Sequence, residues 1–184
     1  MSSPAQAAEP HAPAPVMAVR DLSVTIRTDA GERPILSGID LTVPPRSVLG
    51  IIGESGSGKT VLSRALVNWI KRPLRIASGS VTYGGRDLLT LPEHEMAALR
   101  GREIAYIGAN PTSALDPTVP VGHQILEKLL AVSPGLSRQQ ARQKVIETLD
   151  AVRIPSPRQR FDEYPFQFSG GMMQRALIVD ALVS

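Results

Sequence analysis

The sequence predicts an α/β fold, and three features carry that reading. Residues 16–26 (VMAVRDLSVTI) and 35–43 (ILSGIDLTV) alternate apolar and polar side chains with the period of two that a strand requires. A short continuous apolar run at 47–52 (SVLGII) leads through a Gly-rich turn into an amphipathic segment with helical spacing. Farther along, residues 121–151 repeat apolar positions at three and four, the pattern of a helical block set into such a fold.

Each element follows in order along the chain. The first fifteen residues are mostly Ala, Pro and small polar residues, a composition that buries too little apolar surface to offset ordering entropy, so a disordered leader is expected. The two alternating stretches are separated by Asp29-Ala30-Gly31 and read as a hairpin or meander. The run at 47–52 is expected to be a strand buried on both faces. From Lys59 a helix is expected, with Leu62, Ala65, Leu66, Trp69 and Ile70 on one side, ending at Pro73. Gly84-Gly85 within residues 80–87 signals a tight hairpin, and Pro92 opens a short helix to about Arg100. Residues 103–107 (EIAYI) read as a further short strand. Ser133-Pro134-Gly135 splits the helical block, and Ser137 is the expected N-cap of its second half. A proline-bearing connection at 155–165 leads to a last helix opened by Ser169. No internal repeat is visible.

Bulk composition narrows the function. The chain has 184 residues, 42% of them hydrophobic, enough for one ordinary domain with a real core. Its net charge of +3 is too mild for a dedicated nucleic-acid binder, and no block of like charges breaks the pattern. No apolar run reaches the length of a membrane helix, and the N-terminus lacks the basic end and apolar stretch of a secretory signal, so a cytoplasmic location is expected. There is no cysteine, which excludes disulfides and thiolate metal sites. His11, His94 and His123 are too scattered to suggest a metal cluster.

The most informative motif is GESGSGKT, formed by Gly53, Glu54, Ser55, Gly56, Ser57, Gly58, Lys59 and Thr60. It fits the phosphate-binding P-loop pattern, and the strand-before, helix-after context that the pattern demands is also expected here. Glycines let successive backbone N–H groups turn inward toward a polyphosphate, and the helix that follows presents its positive end. Lys59 would reach the β- and γ-phosphates, and the Thr60 hydroxyl would ligate the Mg²⁺ that bridges them. A P-loop alone does not separate a kinase, a GTPase and a transporter motor.

The segment FSGGMMQR at 168–175 makes that separation. On physical grounds Ser169, Gly170 and Gly171 open a helix where a hydroxyl and bare amides face an anion, although an ordinary Ser N-cap would look the same. The segment resembles the signature of ATP-binding cassette (ABC) proteins, Leu-Ser-Gly-Gly-x-x-Gln-Arg, with Phe168 in place of leucine and Gln174 at the glutamine. GIIGESGSGKTVLSRAL, GSVTYGGRDLLTLPEHEMAALRGREIAYI, NPTSALDPTVPVG and EYPFQFSGGMMQRAL extend the resemblance over nearly all of the chain after the leader, toward the ATP-binding subunits of dipeptide, oligopeptide and nickel importers.

That resemblance implies a P-loop ATPase core (16–110 and 169–184) with a helical subdomain at about 111–168. ATP and Mg²⁺ are the implied cofactors. A second cassette is the implied partner, paired head-to-tail so that Ser169, Gly170, Gly171 and Gln174 of one subunit cap the ATP on the P-loop of the other. Transmembrane permease subunits would hold the protein at the cytoplasmic face of the inner membrane, and a solute-binding protein would act through them.

Three departures from the family pattern stand out. Ile26 occupies the place where the family sets an aromatic residue against adenine, offering apolar contact without a π-face. Ala109 stands where the family's Mg²⁺- and water-sensing glutamine is expected, and Asn110 is the nearest polar substitute. The family's Asp-Glu strand would follow residue 184, so no catalytic residue is assigned within this sequence, and the fold is expected to be C-terminally incomplete and poorly soluble by itself. These departures keep a non-hydrolytic or regulatory ATP-binding role open as the alternative to an importer ATPase. A DNA-repair or chromosome ATPase would show a coiled-coil or zinc insertion between the two motifs, and neither is present. Met172, Met173 and Trp69 read as packing residues, Arg175 as one half of an ion pair, Glu54 as solvated, and His123 as a solvent-facing residue without a role.

Overall fold

The computed structural model describes residues 14–110 and 114–183, and these divide into two compact units, one up to Leu91 and one from Pro92. Most of the expected leader lies outside the described residues.

The first unit is a four-stranded antiparallel sheet with a helix against it. Strand β1 (Met17–Thr28) pairs with β2 (Gly31–Val43) and with β3 (Leu74–Tyr83), which pairs with the two-residue β4 (Arg86–Asp87), giving the order β2-β1-β3-β4. The alternation read in the sequence holds in part: Leu22, Val24 and Val81 are fully buried between half-buried or exposed neighbours, whereas Val19 is buried together with Ala18 and the period slips at Arg20-Asp21, where the pairing shifts register. Asp29 and Ala30 form the loop of the first hairpin, closed by the Thr28↔Gly31 pair and a hydrogen bond from Thr28 Oγ1 to the Gly31 carbonyl of 2.8 Å. Gly84 and Gly85 turn the second hairpin with φ of 53° and 80°, the left-handed pair that a two-residue turn matched to strand twist needs. Helix α1 (Lys59–Leu66) sets Leu62 and Ala65 into the core of this unit.

The second unit is helical. It contains α2 (Glu93–Arg102), α3 (Val121–Val132), α4 (Arg138–Ala151), the single turn α5 (Pro157–Phe161) and α6 (Gly170–Leu182). Ile125, Leu129, Val145, Leu149, Phe161 and Ala176 are fully buried at its centre. The expected break at 133–135 and the Ser137 cap are both observed. Ser137 Oγ accepts from Gln140 N at 3.3 Å, and Gln140 Oε1 accepts from Ser137 N at 2.9 Å, a reciprocal capping box.

Several expectations are corrected. Residues 47–52 form no strand; Val48 and Ile52 are each 99% exposed. A strand exists only through hydrogen bonds to a neighbour, and none of the four described strands pairs with this run. Residues 103–107 are likewise not a strand, and Ile107 is 44% exposed. Helix α1 ends before Trp69 and Ile70, because Asn68 takes a left-handed conformation (φ 48°) that stops it, and Trp69 lies partly exposed with Lys71 Nζ 5.8 Å from its ring centre. Within the 155–165 connection, α5 adds a helical turn with Pro157 at its start.

Candidate functional site

Residues 53–57 form an exposed loop that runs through the half-buried Gly58 into α1, whose first two residues are Lys59 and Thr60. Gly56 and Gly58 have φ of 84° and 92°, and Gly58 serves as the N-cap with no side chain to satisfy the first amides of the helix. A side chain at Gly58 would be strained by that φ, and Leu36 Cδ2, 2.8 Å from where a Cβ would sit, would have to shift to admit it. The uncapped amides of the first turn therefore remain available to an anion at the positive end of α1.

Lys59 folds back over this loop. Its ammonium donates to the Gly53 carbonyl at 2.8 Å, the Glu54 carbonyl at 2.7 Å and Ser57 Oγ at 3.3 Å, while Ser57 N donates to the Glu54 carbonyl at 3.2 Å. The loop thus holds its one cation at its own mouth, bound only by neutral oxygens that a phosphate oxygen would outcompete. Thr60, the second residue of α1, is exposed. Glu54 and Ser55 are exposed along the rim, as expected for Glu54. A glycine cradle, a tethered ammonium, a free helix end and an adjacent hydroxyl fit a Mg-nucleotide. Ile26 lies half-buried on β1, cross-strand from Arg33 on β2 and Leu74 on β3.

The second motif lies in the helical unit. Ser169 caps α6, its Oγ accepting from Met172 N at 3.3 Å, and Ser169, Gly170, Gly171 and Gln174 are all exposed. Beneath them Met172 and Met173 are buried, as expected, and Phe168 is also buried at 9% exposure, so it packs at the position where the signature has leucine. Arg175 forms no ion pair among the described residues. Its guanidinium donates to the Gly171 carbonyl at 3.3 Å and the Arg153 carbonyl at 2.8 Å, tying the start of α6 to the end of α4.

A match to the ABC transporter family model covers residues 36–184, a stretch that includes both motifs. This chain belongs to the ABC transporter family. Among curated relatives, the ABC chain is 41% identical over 169 residues to a putative peptide import ATP-binding protein of Brucella abortus, covering 92% of this chain and 51% of that protein. It is 39% identical over 168 residues to the oligopeptide transport ATP-binding protein OppD of Salmonella typhimurium, covering 91% and 50%. The ABC chain therefore spans about half the length of the curated relatives it matches. A solved ATP-binding cassette, dimeric, in a post-hydrolysis state and bound to ADP and phosphate, superposes with a TM-score of 0.81 at 21% identity, covering 91% of this chain and 69% of that one. The overall fold is that of an ABC ATPase cassette.

Sequence reading passed over two groups in this ABC chain. His123 is not idle: its Nε2 lies 3.0 Å from Asp162 Oδ1, its ring packs 5.1 Å from that of Phe161, and Arg142 binds the other Asp162 oxygen at 2.9 Å. Arg33 was also missed. Counting pairs back from the Asp29-Ala30 loop would have placed it opposite Ile26. Ala109 is exposed.

Proposed function

We propose that this chain is the nucleotide-binding part of an ABC importer ATPase that couples ATP binding and hydrolysis to uptake of peptides. The observation that carries the reading is the Lys59 ammonium tethered to the Gly53 and Glu54 carbonyls at the mouth of a glycine cradle in front of α1. When bound, Mg-ATP supplies the phosphoanhydride whose hydrolysis drives transport. Lys59 would transfer its hydrogen bonds from loop carbonyls to phosphate oxygens, the amides of residues 56–60 would hold the rest of the triphosphate, and Thr60 would ligate Mg²⁺.

The exposed Ser169, Gly170, Gly171 and Gln174 suit them to close on a nucleotide held by a second cassette, an arrangement in keeping with the dimeric form of the solved cassette. Permease subunits would receive that closure through the helical subdomain at about 111–168, the core comprising 16–110 and 169–184, and would hold the cassette at the inner face of the membrane. No helix among the described residues is long and apolar enough to cross a membrane. The relatives' names favour peptides over nickel as the solute.

Calorimetric titration of Mg-ATP into the protein and into Lys59→Ala tests the site. The variant should lose most of the affinity, and equal affinities would overturn the P-loop assignment. A second reading, ATP binding without hydrolysis, is favoured by Ala109, whose methyl group ligates neither metal nor water. Steady phosphate release from the 184-residue chain, abolished by Lys59→Ala, would overturn that second reading.

A further inference from the structure

We propose that Arg33 is a base-contacting residue: its guanidinium supplies a planar cationic surface against the purine of a bound nucleoside triphosphate, beside Ile26, which has no π-face to offer. The inference rests on the P-loop reading above and adds to it the residue that recognises the other end of the ligand.

The register of the sheet carries the argument. Val24 on β1 is fully buried and pairs with Leu36 on β2, and Leu36 Cδ2 approaches Gly58 of the P-loop. Ile26 lies two residues beyond Val24, with unbroken β1–β3 pairing between them, so it shares the face that meets the P-loop. Its partner on β2 is Arg33, and directly opposed residues of an antiparallel pair project to one side. Arg33 is three residues from Leu36, an odd step that strict alternation would send to the opposite face. A bulge corrects this: Val24 pairs with Leu36 but Thr25 pairs with Pro34, so Ile35 is the extra residue and Arg33 returns to the P-loop side. Pro34 also restricts Arg33 to extended backbone.

Position and chemistry agree. Three residues of strand separate Arg33 from the Leu36–Gly58 contact, roughly 10 Å at about 3.3 Å each, so a triphosphate in the loop has room to lay its ribose and base along this face. The Arg33 side chain is exposed and makes no hydrogen bond or ion pair among the described residues, whereas Arg75 is held by Glu32 at 2.8 Å. A guanidinium stacks on aromatic planes, and the purine is such a plane.

Titrating the protein with Mg-ATP and separately with Mg-tripolyphosphate, which has no base, tests the proposal. Arg33→Ala should weaken ATP roughly tenfold and leave tripolyphosphate unchanged, while Arg33→Tyr should retain ATP binding, because a ring replaces the lost plane. Arg27→Ala removes a neighbouring cation from the opposite face and should change neither ligand. Unchanged ATP affinity in Arg33→Ala, equal weakening of both ligands, or an equal effect of Arg27→Ala would each overturn the assignment. Lys59→Ala separates the two readings. If it weakens both ligands while Arg33→Ala weakens neither, only the base contact fails; if it weakens neither, the P-loop reading fails and this inference falls with it.

Discussion

Gly122, on the buried side of α3, lies directly beneath Phe161. A Cβ there would sit 2.3 Å from Phe161 Cδ2 and 2.6 Å from the Phe161 carbonyl oxygen, and the backbone atom cannot rotate away. Phe161 is itself fully buried and carries the Arg142 guanidinium 4.4 Å from its ring centre. Gly122→Ala should therefore destabilise the protein by about 1–3 kcal/mol, the usual cost of overpacking, read as a lower midpoint in urea. Asp116 shows how local donors set charge: Thr118 Oγ1 donates to Oδ1 at 2.6 Å and Thr118 N at 2.8 Å, which holds the carboxyl below its ordinary value. A depressed carboxyl contributes stability that is present above its unfolded-state value and lost as pH falls through the folded one. Thr118→Val removes the larger of these causes, so NMR titration should find Asp116 shifted upward; an unmoved midpoint would contradict the assignment of cause.

At the scale of elements, helix ends are decided by single residues. The Ser137 capping box satisfies two amides that would otherwise be orphaned at the start of α4, and Ser137→Ala should cost about 1 kcal/mol, while Ser137→Asp should retain most of that stability. The C-terminus of α1 is closed by Asn68, whose left-handed backbone lets Trp69 N reach the Arg64 carbonyl at 2.8 Å and Asn68 N the Ala65 carbonyl at 3.0 Å. Its amide also donates to the Leu88 carbonyl at 2.8 Å, fastening the helix that follows the P-loop to the turn after β4. Asn68→Gly loses only that last bond. Asn68→Ala loses the same bond and also the tolerance of left-handed backbone that asparagine has and alanine lacks, a further cost of roughly 1 kcal/mol, so thermal melts should rank wild type above Gly and Gly above Ala. The opposite order would show that the backbone conformation is not what matters.

For the whole molecule, the decisive surface feature is the run at 47–52. Val48 and Ile52 are bare and sit beside Leu49 and Ile51, at 46% and 42% exposure, with no strand pairing among the described residues. Contiguous exposed apolar residues favour association, and so do unpaired backbone groups of strand-like sequence. The 184-residue polypeptide should self-associate at micromolar concentration and bind a hydrophobic dye. The double substitution Val48→Ser, Ile52→Ser should reduce both effects without lowering the thermal midpoint, since neither side chain is packed. A monodisperse wild-type peak in size exclusion with no dye binding would count against this.

What the sequence by itself determined are the features governed by local physics. The glycine cradle and Lys59, the Gly84-Gly85 turn, the Ser137 box and the Ser169 cap each involve residues a few positions apart, so their residue types suffice to place them. The hydrophobic stripes of α3, α4 and α6 were readable for the same reason, since helical periodicity is written into consecutive residues. Tertiary structure decided what depends on distant partners. An apolar run becomes a strand only where another strand meets it, which is why 47–52 and 103–107 were misread. The Asp162 partner of His123 and the carbonyl partners of Arg175 come from other elements. The bulge at Ile35 is likewise invisible to composition, because a one-residue slip in pairing depends on both strands at once, and it is what lets Leu36 and Arg33 share a face despite their odd spacing.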